Sequence, residues 1–182
     1  MKTYISILRG INVGGKKLIK MQLLKALYES LGYKNIQTYI QSGNVVFQSS
    51  KIKPIACADT ISKKINEVFG FDVPVIVLEK ESFKTIVQAN KFVQDKTKEA
   101  AFLHVTFLSE KPKAEDVERI TKNDYGEDAF YFDGKAVYLY CPNGYSNCKL
   151  TNGFLESKLK TKATTRNWKT VLELLSITER IN

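Results

Sequence analysis

The sequence contains few of the residues on which metal, disulfide or redox chemistry depends. Its 182 residues include one histidine, one tryptophan, four prolines and three cysteines. The cysteines, Cys57, Cys141 and Cys148, are odd in number and form no Cys-x-x-Cys pair, so their spacing indicates neither a disulfide framework nor a zinc site. We interpret them as free thiols and predict neither a metal site nor a cofactor.

Long apolar runs are also missing. The first apolar run, residues 4–8, ends at Arg9 and is far shorter than a secretory signal core or a membrane span. A content of 43% hydrophobic and 26% charged residues is typical of a folded, soluble protein rather than a disordered one. We therefore expect a cytoplasmic protein without a membrane partner.

The charge is positive and unevenly distributed. The formal net charge is +9, with seven basic and one acidic residue in positions 1–50 and seven basic and three acidic residues in positions 149–182. The middle of the chain is balanced. The two basic ends would form one positive surface if they met in the fold, although a coat of solubilising lysines would produce the same count.

The pattern of apolar residues predicts an α+β protein. The first part has the order β-α-β-β-α-β, with strands near residues 3–8, 36–40, 44–48 and 73–78 and helices ending near 31 and 70. This is the order of a split βαβ, or ferredoxin-like, unit, in which an antiparallel sheet packs two helices on one face. The turn residues 41–43 between the second and third strands predict a hairpin, which supports this assignment.

A second set of similar elements follows. It has a strand near 101–108, a helix near 114–122, a hairpin turned at 133–134 and a helix near 153–159, but no recognisable last strand before the final helix. We predict two ferredoxin-like subdomains with antiparallel sheets, the second incomplete and followed by a C-terminal helix. The predicted ranges are 1–80 for the first subdomain, 81–100 for a connecting helix and loop, and 101–182 for the second.

A glycine-rich segment is the first candidate binding site. Residues 10–16 fit the G-x-x-x-x-G-K part of a phosphate-binding loop, but Lys17 stands where that loop needs serine or threonine, and the next helix begins only near Lys20. This argues against a nucleotide triphosphatase. The residue types leave two interpretations, an anion-binding loop flanked by lysines or an ordinary surface turn.

Two further polar segments are candidates. Residues 38–44 carry more hydrogen-bonding side chains than a hairpin turn needs, although such side chains also bond their own backbone in turns. Residues 164–167 precede the C-terminal helix, where a threonine could cap the helix and Arg166 could bind phosphate or carboxylate with two parallel hydrogen bonds.

Catalytic groupings are not evident. His104 lies inside a predicted strand, where a structural imidazole is the simpler interpretation, and no Ser-His-Asp or Cys-His arrangement is indicated. Cys148 precedes Lys149, which could make the thiol reactive, but an inert thiol is the simpler interpretation. The sequence therefore predicts no reaction and leaves open whether the protein is an enzyme.

Three strings, LRGINVGG (8–15), TYIQSGNV (38–45) and ATTRNW (163–168), closely resemble the signatures of a bacterial family known as domain of unknown function 1697. The resemblance implies a cytoplasmic bacterial protein of two ferredoxin-like subdomains, and it implies no activity. Cys148 stands where relatives usually have serine before the lysine.

These signatures coincide with the polar segments at the two basic ends of the chain. We expect them to converge on one polar cleft between the halves that binds a small anionic or nucleotide-like ligand. The expected ligand-binding residues are Arg9, Asn12, Gly14, Gly15, Lys16, Tyr39, Gln41, Ser42, Asn44, Lys149, Thr165, Arg166 and Asn167.

Two alternatives remain at this point. The first is an RNA-binding module, because ferredoxin-like sheets bind RNA through exposed aromatic residues; the relevant strands offer Tyr4 and Phe47 but no RNA-binding signature. The second is a protein-interaction module, which an exposed apolar patch would indicate.

Overall fold

The computed structural model describes residues 1–50 and 53–181 and contains two four-stranded antiparallel sheets. The strands are β1 (Lys2–Leu8), β2 (Lys34–Tyr39), β3 (Asn44–Ser49), β4 (Val75–Glu79), β5 (Leu103–Leu108), β6 (Ala129–Asp133), β7 (Ala136–Tyr140) and β8 (Ala163–Asn167). The helices are α1 (Met21–Ser30), α2 (Pro54–Phe69), α3 (Lys80–Gln88), α4 (Ala114–Thr121), α5 (Asn152–Leu159) and α6 (Trp168–Arg180). Among the described residues, no helix is long and apolar enough to cross a bilayer.

The first sheet has the strand order β2-β3-β1-β4 and belongs to a compact unit made of residues 1–85 and the chain from Glu173 onward. Tyr4 pairs with Phe47 across β1 and β3. Because side chains alternate along a strand, these two rings lie on one face of the sheet. They belong to an apolar core with Leu24 of α1 and Ile61 of α2. Burying a side chain such as Leu24 fully contributes about 2 kcal/mol to stability.

The second sheet has the order β6-β7-β5-β8 and belongs to a second unit, residues 86–172. Leu139 of β7 and Leu155 of α5 are buried in its core. The predicted α+β class with two split βαβ units is confirmed. The prediction that the second unit lacks its last strand is wrong, because β8 pairs antiparallel with β5 and completes the unit.

The local pattern of apolar residues did not predict strand β8, because the strand is short, polar and directly followed by α6. Its two threonines are β-branched and favour extended backbone. Its hydrogen-bonding partner is β5, and Thr165 lies opposite Thr106, 59 residues earlier. The pairing that makes the segment a strand is therefore a tertiary contact.

Candidate functional site

The side chain of Asn12 organises the glycine-rich segment. Its Nδ2 donates to the carbonyl oxygens of Ile19 and Gln41, each at 2.9 Å, and its Oδ1 accepts from the N–H of Ile19 at 2.8 Å. These three bonds tie residues 12–19 to the turn that follows β2. Asn12, expected to bind a ligand, is therefore a structural residue whose amide group is fully used within the fold.

The backbone of this segment forms a small hairpin. The N–H of Asn12 donates to the carbonyl of Lys17 at 3.1 Å, and the N–H of Lys16 donates to Val13 at 3.0 Å. These N–H groups bond inside the loop, whereas a phosphate-binding loop directs its N–H groups at the ligand. Gly14 and Gly15 lie at the exposed tip. The structure agrees with the argument against a triphosphatase and leaves the lysine side chains as the charged groups of this segment.

The second polar segment is a turn held by Asn44. Its Nδ2 donates to the carbonyl of Tyr39 and to Oγ of Ser42, both at 3.0 Å. The Asn44 residue is fully buried. Two of the expected binding residues, Ser42 and Asn44, thus shape the turn itself. Of the others in this unit, Arg9 and Tyr39 are half-buried, and Lys16 and Gln41 are exposed.

In the second unit, Thr165 is the centre of a hydrogen-bond network. Its Oγ1 donates to Oδ1 of Asn152 at 2.7 Å and accepts from the hydroxyl of Tyr145 at 3.0 Å. The Thr106 hydroxyl lies 2.7 Å from the same atom. Since Thr165 has one proton and gives it to Asn152, Thr106 must donate to Thr165. The network saturates Thr165, which was expected to bind the ligand directly.

Asn167 caps helix α6, because its Oδ1 accepts from the N–H of Thr170 at 2.8 Å. The expectation that Thr164 or Thr165 caps this helix is therefore wrong. Asn167 is the last residue of β8 and directly precedes α6, whereas Thr164 and Thr165 lie three and two residues further back in the strand. Lys149 is exposed, and its N–H lies 3.4 Å from Oδ2 of Asp128.

Arg166 lies beside this network in the sequence but on the other face of β8, as strand alternation requires. Its Nη1 donates to the carbonyl of Thr165 at 3.0 Å. Burial lowers the pKa of Arg166 to about 10, and nearby Tyr145 acts weakly in the opposite direction. Arg166 is half-buried, and its guanidinium therefore stays positively charged at neutral pH while it is partly shielded from water.

Thr164 lies two residues before Arg166 and therefore on the same face of β8, opposite to the face of Thr165. Thr164 is fully buried, and its Oγ1 has no hydrogen-bond partner among the described residues. A buried hydroxyl without a partner costs about 1–3 kcal/mol. A half-buried cation and an unsatisfied hydroxyl on one strand face are the features of this unit that best suit a polar ligand.

Sequence reasoning missed Tyr145 and Asn152 as members of the network and assigned His104 no contact with them. The His104 ring stacks on Tyr145 with centroids 5.1 Å apart, and its Nδ1 lies 3.2 Å from the carbonyl of Phe102. Burial lowers the pKa of His104 and raises the pKa of Tyr145. Nothing in the linear pattern connects these positions, since they meet only after β5 and β8 pair.

The aromatic pair considered for RNA binding is buried. Tyr4 and Phe47 are 2% and 0% exposed and stack on each other with centroids 5.6 Å apart. RNA-recognition sheets present such rings to solvent so that bases can stack on them. This pair is instead part of the hydrophobic core.

Comparison with known proteins adds the following. Residues 1–138 match the family described as "Protein of unknown function (DUF1697)". The fold matches a structure described as that of the conserved bacterial protein SP0830 from Streptococcus pneumoniae, with a TM-score of 0.77, 22% sequence identity and coverage of 97% of this chain and 98% of that one. No curated protein matches the sequence.

Proposed function

This chain belongs to the DUF1697 family, described as proteins of unknown function, and from that premise we propose that it binds a small anionic or nucleotide-like ligand, with Arg166 as the main anchor. The observation that carries the proposal is the half-buried position of Arg166, where partial loss of water lowers the pKa of its guanidinium to about 10. Removing a guanidinium from water is costly, and a bound carboxylate or phosphate repays that cost with two parallel hydrogen bonds.

The surroundings of Arg166 support a defined rather than a diffuse anion site. Its backbone neighbour Thr165 is held by Asn152 and Tyr145 at 2.7 and 3.0 Å. The Oγ1 of Thr164 is buried and has no hydrogen-bond partner among the described residues. A strand restrained on one face holds its opposite face in place, and preorganised groups lose less entropy when a ligand binds.

The basic group of the first unit forms a separate part of the proposal. Arg9 is half-buried, and Lys16 is exposed on the small hairpin. Their charges would attract the same anions, and we treat them as a contribution to be measured independently of Arg166. The net charge of +9 favours the approach of any anion.

The test is thermal unfolding in the presence of phosphorylated metabolites, nucleotides, small dicarboxylates and a short single-stranded RNA. A ligand present at 100 times its dissociation constant stabilises the fold by about 2.7 kcal/mol. We expect one class of small anion to raise the melting temperature of the wild type. Arg166→Ala should abolish the shift, and Arg166→Lys should reduce it because lysine lacks the planar fork.

The matched control is Arg119→Ala. Arg119 is on α4 of the same unit, its side chain is 74% exposed, and it pairs with Asp116. The Arg119→Ala variant should show the same ligand-induced rise in melting temperature as the wild type. The Arg9→Ala variant measures the contribution of the first unit. Equal losses in the Arg119 and Arg166 variants would refute a specific site. A shift given by RNA alone, and abolished by moderate salt, would replace this proposal with nucleic-acid binding.

A further inference from the structure

Two of the three cysteines, separated by six residues in sequence, meet an aspartate at one end of the second sheet. In the β6–β7 hairpin Ala129 pairs with Tyr140. Asp128 precedes the first of these residues and Cys141 follows the second, so the two lie opposite each other where the hairpin opens. The register of the hairpin, rather than their positions in the sequence, brings them together.

Cys148 reaches the same place through a tight turn. The N–H of Gly144 donates to the carbonyl of Cys141 at 2.9 Å, and the N–H of Cys148 donates to Tyr145 at 3.1 Å. The side chain of Asn143 donates to Glu127 at 2.7 Å, which ties this turn to the residue before Asp128. The turn is therefore anchored at both ends.

The three side chains direct their ligand atoms at one point. The Sγ atoms of Cys141 and Cys148 and a carboxylate oxygen of Asp128 all lie within 4.8 Å of one another. Cys141 and Cys148 are 0% and 4% exposed, and Asp128 is half-buried. Tetrahedral Zn²⁺ with Zn–S bonds of about 2.3 Å places its sulfur ligands roughly 3.8 Å apart, so a small contraction would close such a site.

A backbone N–H group supports the carboxylate of the cluster. The N–H of Lys149 lies 3.4 Å from Oδ2 of Asp128. A hydrogen bond of this kind orients a metal ligand and stabilises its charged form.

We propose that Asp128, Cys141 and Cys148 form a binding site for a thiophilic divalent cation such as Zn²⁺. Two thiolates and a carboxylate are the donor types that suit this metal, and three protein ligands leave a fourth position for water or a solute. Binding releases the two thiol protons to solvent as the sulfurs become metal ligands. The half-buried carboxylate marks the side from which the ion enters. The proposal uses none of the residues assigned to anion binding and stands or falls separately from it.

The experiment titrates the reduced full-length protein, freed of metal by a chelator, with Co²⁺ and then with Zn²⁺. We expect one Co²⁺ per chain, a thiolate-to-cobalt charge-transfer absorption in the near ultraviolet, and loss of that absorption when Zn²⁺ displaces the cobalt. Zn²⁺ should also raise the melting temperature of the wild type, since it binds the folded site. This second measurement needs no variant.

Three variants and one control locate the site. Cys141→Ser and Cys148→Ser should each weaken binding at least 100-fold and remove most of the charge-transfer absorption. Asp128→Asn should weaken binding about 10–100-fold but keep the sulfur absorption. The control is Cys57→Ser, since Cys57 is a buried thiol of the first unit, 3.1 Å from the Tyr33 hydroxyl. It should bind as the wild type does.

Two results would overturn the assignment. One is a wild type that shows neither charge transfer nor a Zn²⁺-dependent rise in melting temperature. The other is an equal loss of binding in the Cys57 and Cys148 variants. Circular dichroism of each metal-free variant confirms that it is folded before its affinity is compared.

Discussion

The hydroxyl of Tyr145 donates a 3.0 Å hydrogen bond to Oγ1 of Thr165, across 20 residues of chain. The bond joins the turn at Tyr145–Asn147 to the edge strand β8. Among the described residues, β8 is an edge strand whose sheet neighbour is β5. The side-chain bonds that Tyr145 and Asn152 make to Thr165 therefore help to hold this edge strand, and Arg166 with it, in place.

The network around Thr165 should be sensitive to the loss of its central hydroxyl. Tyr145→Phe removes one hydrogen bond and should cost about 1 kcal/mol of unfolding free energy. Thr165→Val keeps the shape but leaves Asn152, Tyr145 and Thr106 without their shared partner, and should cost about 2–3 kcal/mol. Urea unfolding of both single variants and the double variant measures the coupling. Strictly additive effects would show that the bond contributes nothing.

Gly43 should not tolerate a larger residue. A Cβ atom there would lie 2.7 Å from Cδ1 of Ile11 and 2.8 Å from Cβ of Leu8, at a φ of +80°. Gly43→Ala combines left-handed strain with overpacking and should cost about 2–4 kcal/mol. Gly10→Ala is the control, since its φ is +74° but no atom lies within 4 Å of the added Cβ. It should cost only about 1 kcal/mol, and equal costs for both variants would rule out the steric contact as the cause.

Asn12 should prove to be a stability residue. Asn12→Ala removes the bonds to Ile19 and Gln41 and leaves alanine at a φ of 56°. We expect a loss of about 2–3 kcal/mol in thermal or urea unfolding. Gln41→Ala keeps the carbonyl that Asn12 binds and removes only an exposed side chain, so its stability should stay close to that of the wild type. A stable Asn12 variant that had lost ligand binding would return Asn12 to the binding residues.

His104 should make stability depend on pH in the mildly acidic range. Burial lowers the pKa of His104 below its ordinary value of 6.5, so the unfolded chain takes up the proton more readily than the folded protein. The contribution is therefore complete above pH 6.5 and is lost as the pH falls from there through the folded pKa. His104→Phe keeps an aromatic ring against Tyr145 but does not titrate.

Unfolding free energies of the wild type and the His104→Phe variant are to be compared between pH 7.5 and 5. The wild type should lose more stability than the variant on acidification. A constant difference between the two curves, or a wild type that gains stability relative to the variant, would contradict the burial of a neutral imidazole.

The order of helices and strands could be read from the sequence because it depends on local periods. Apolar spacing of three and four marked α1, and alternation around a turn marked the β2–β3 hairpin. The polar strings around Asn12, Asn44 and Thr165 were also evident, but their roles were not. An amide or hydroxyl that binds a ligand and one that holds a turn look alike until their partners are placed.

What the sequence by itself determined is the class of the protein, its net charge and the elements whose apolar residues repeat locally. Only the tertiary structure decided that residues 163–167 form strand β8, that Arg166 is half-buried, and that Asp128, Cys141 and Cys148 meet. The reason is physical. Strand β8 and the position of Arg166 depend on pairing with β5 between residues up to 63 positions apart, and the cluster of Asp128, Cys141 and Cys148 depends on the register of the β6–β7 hairpin.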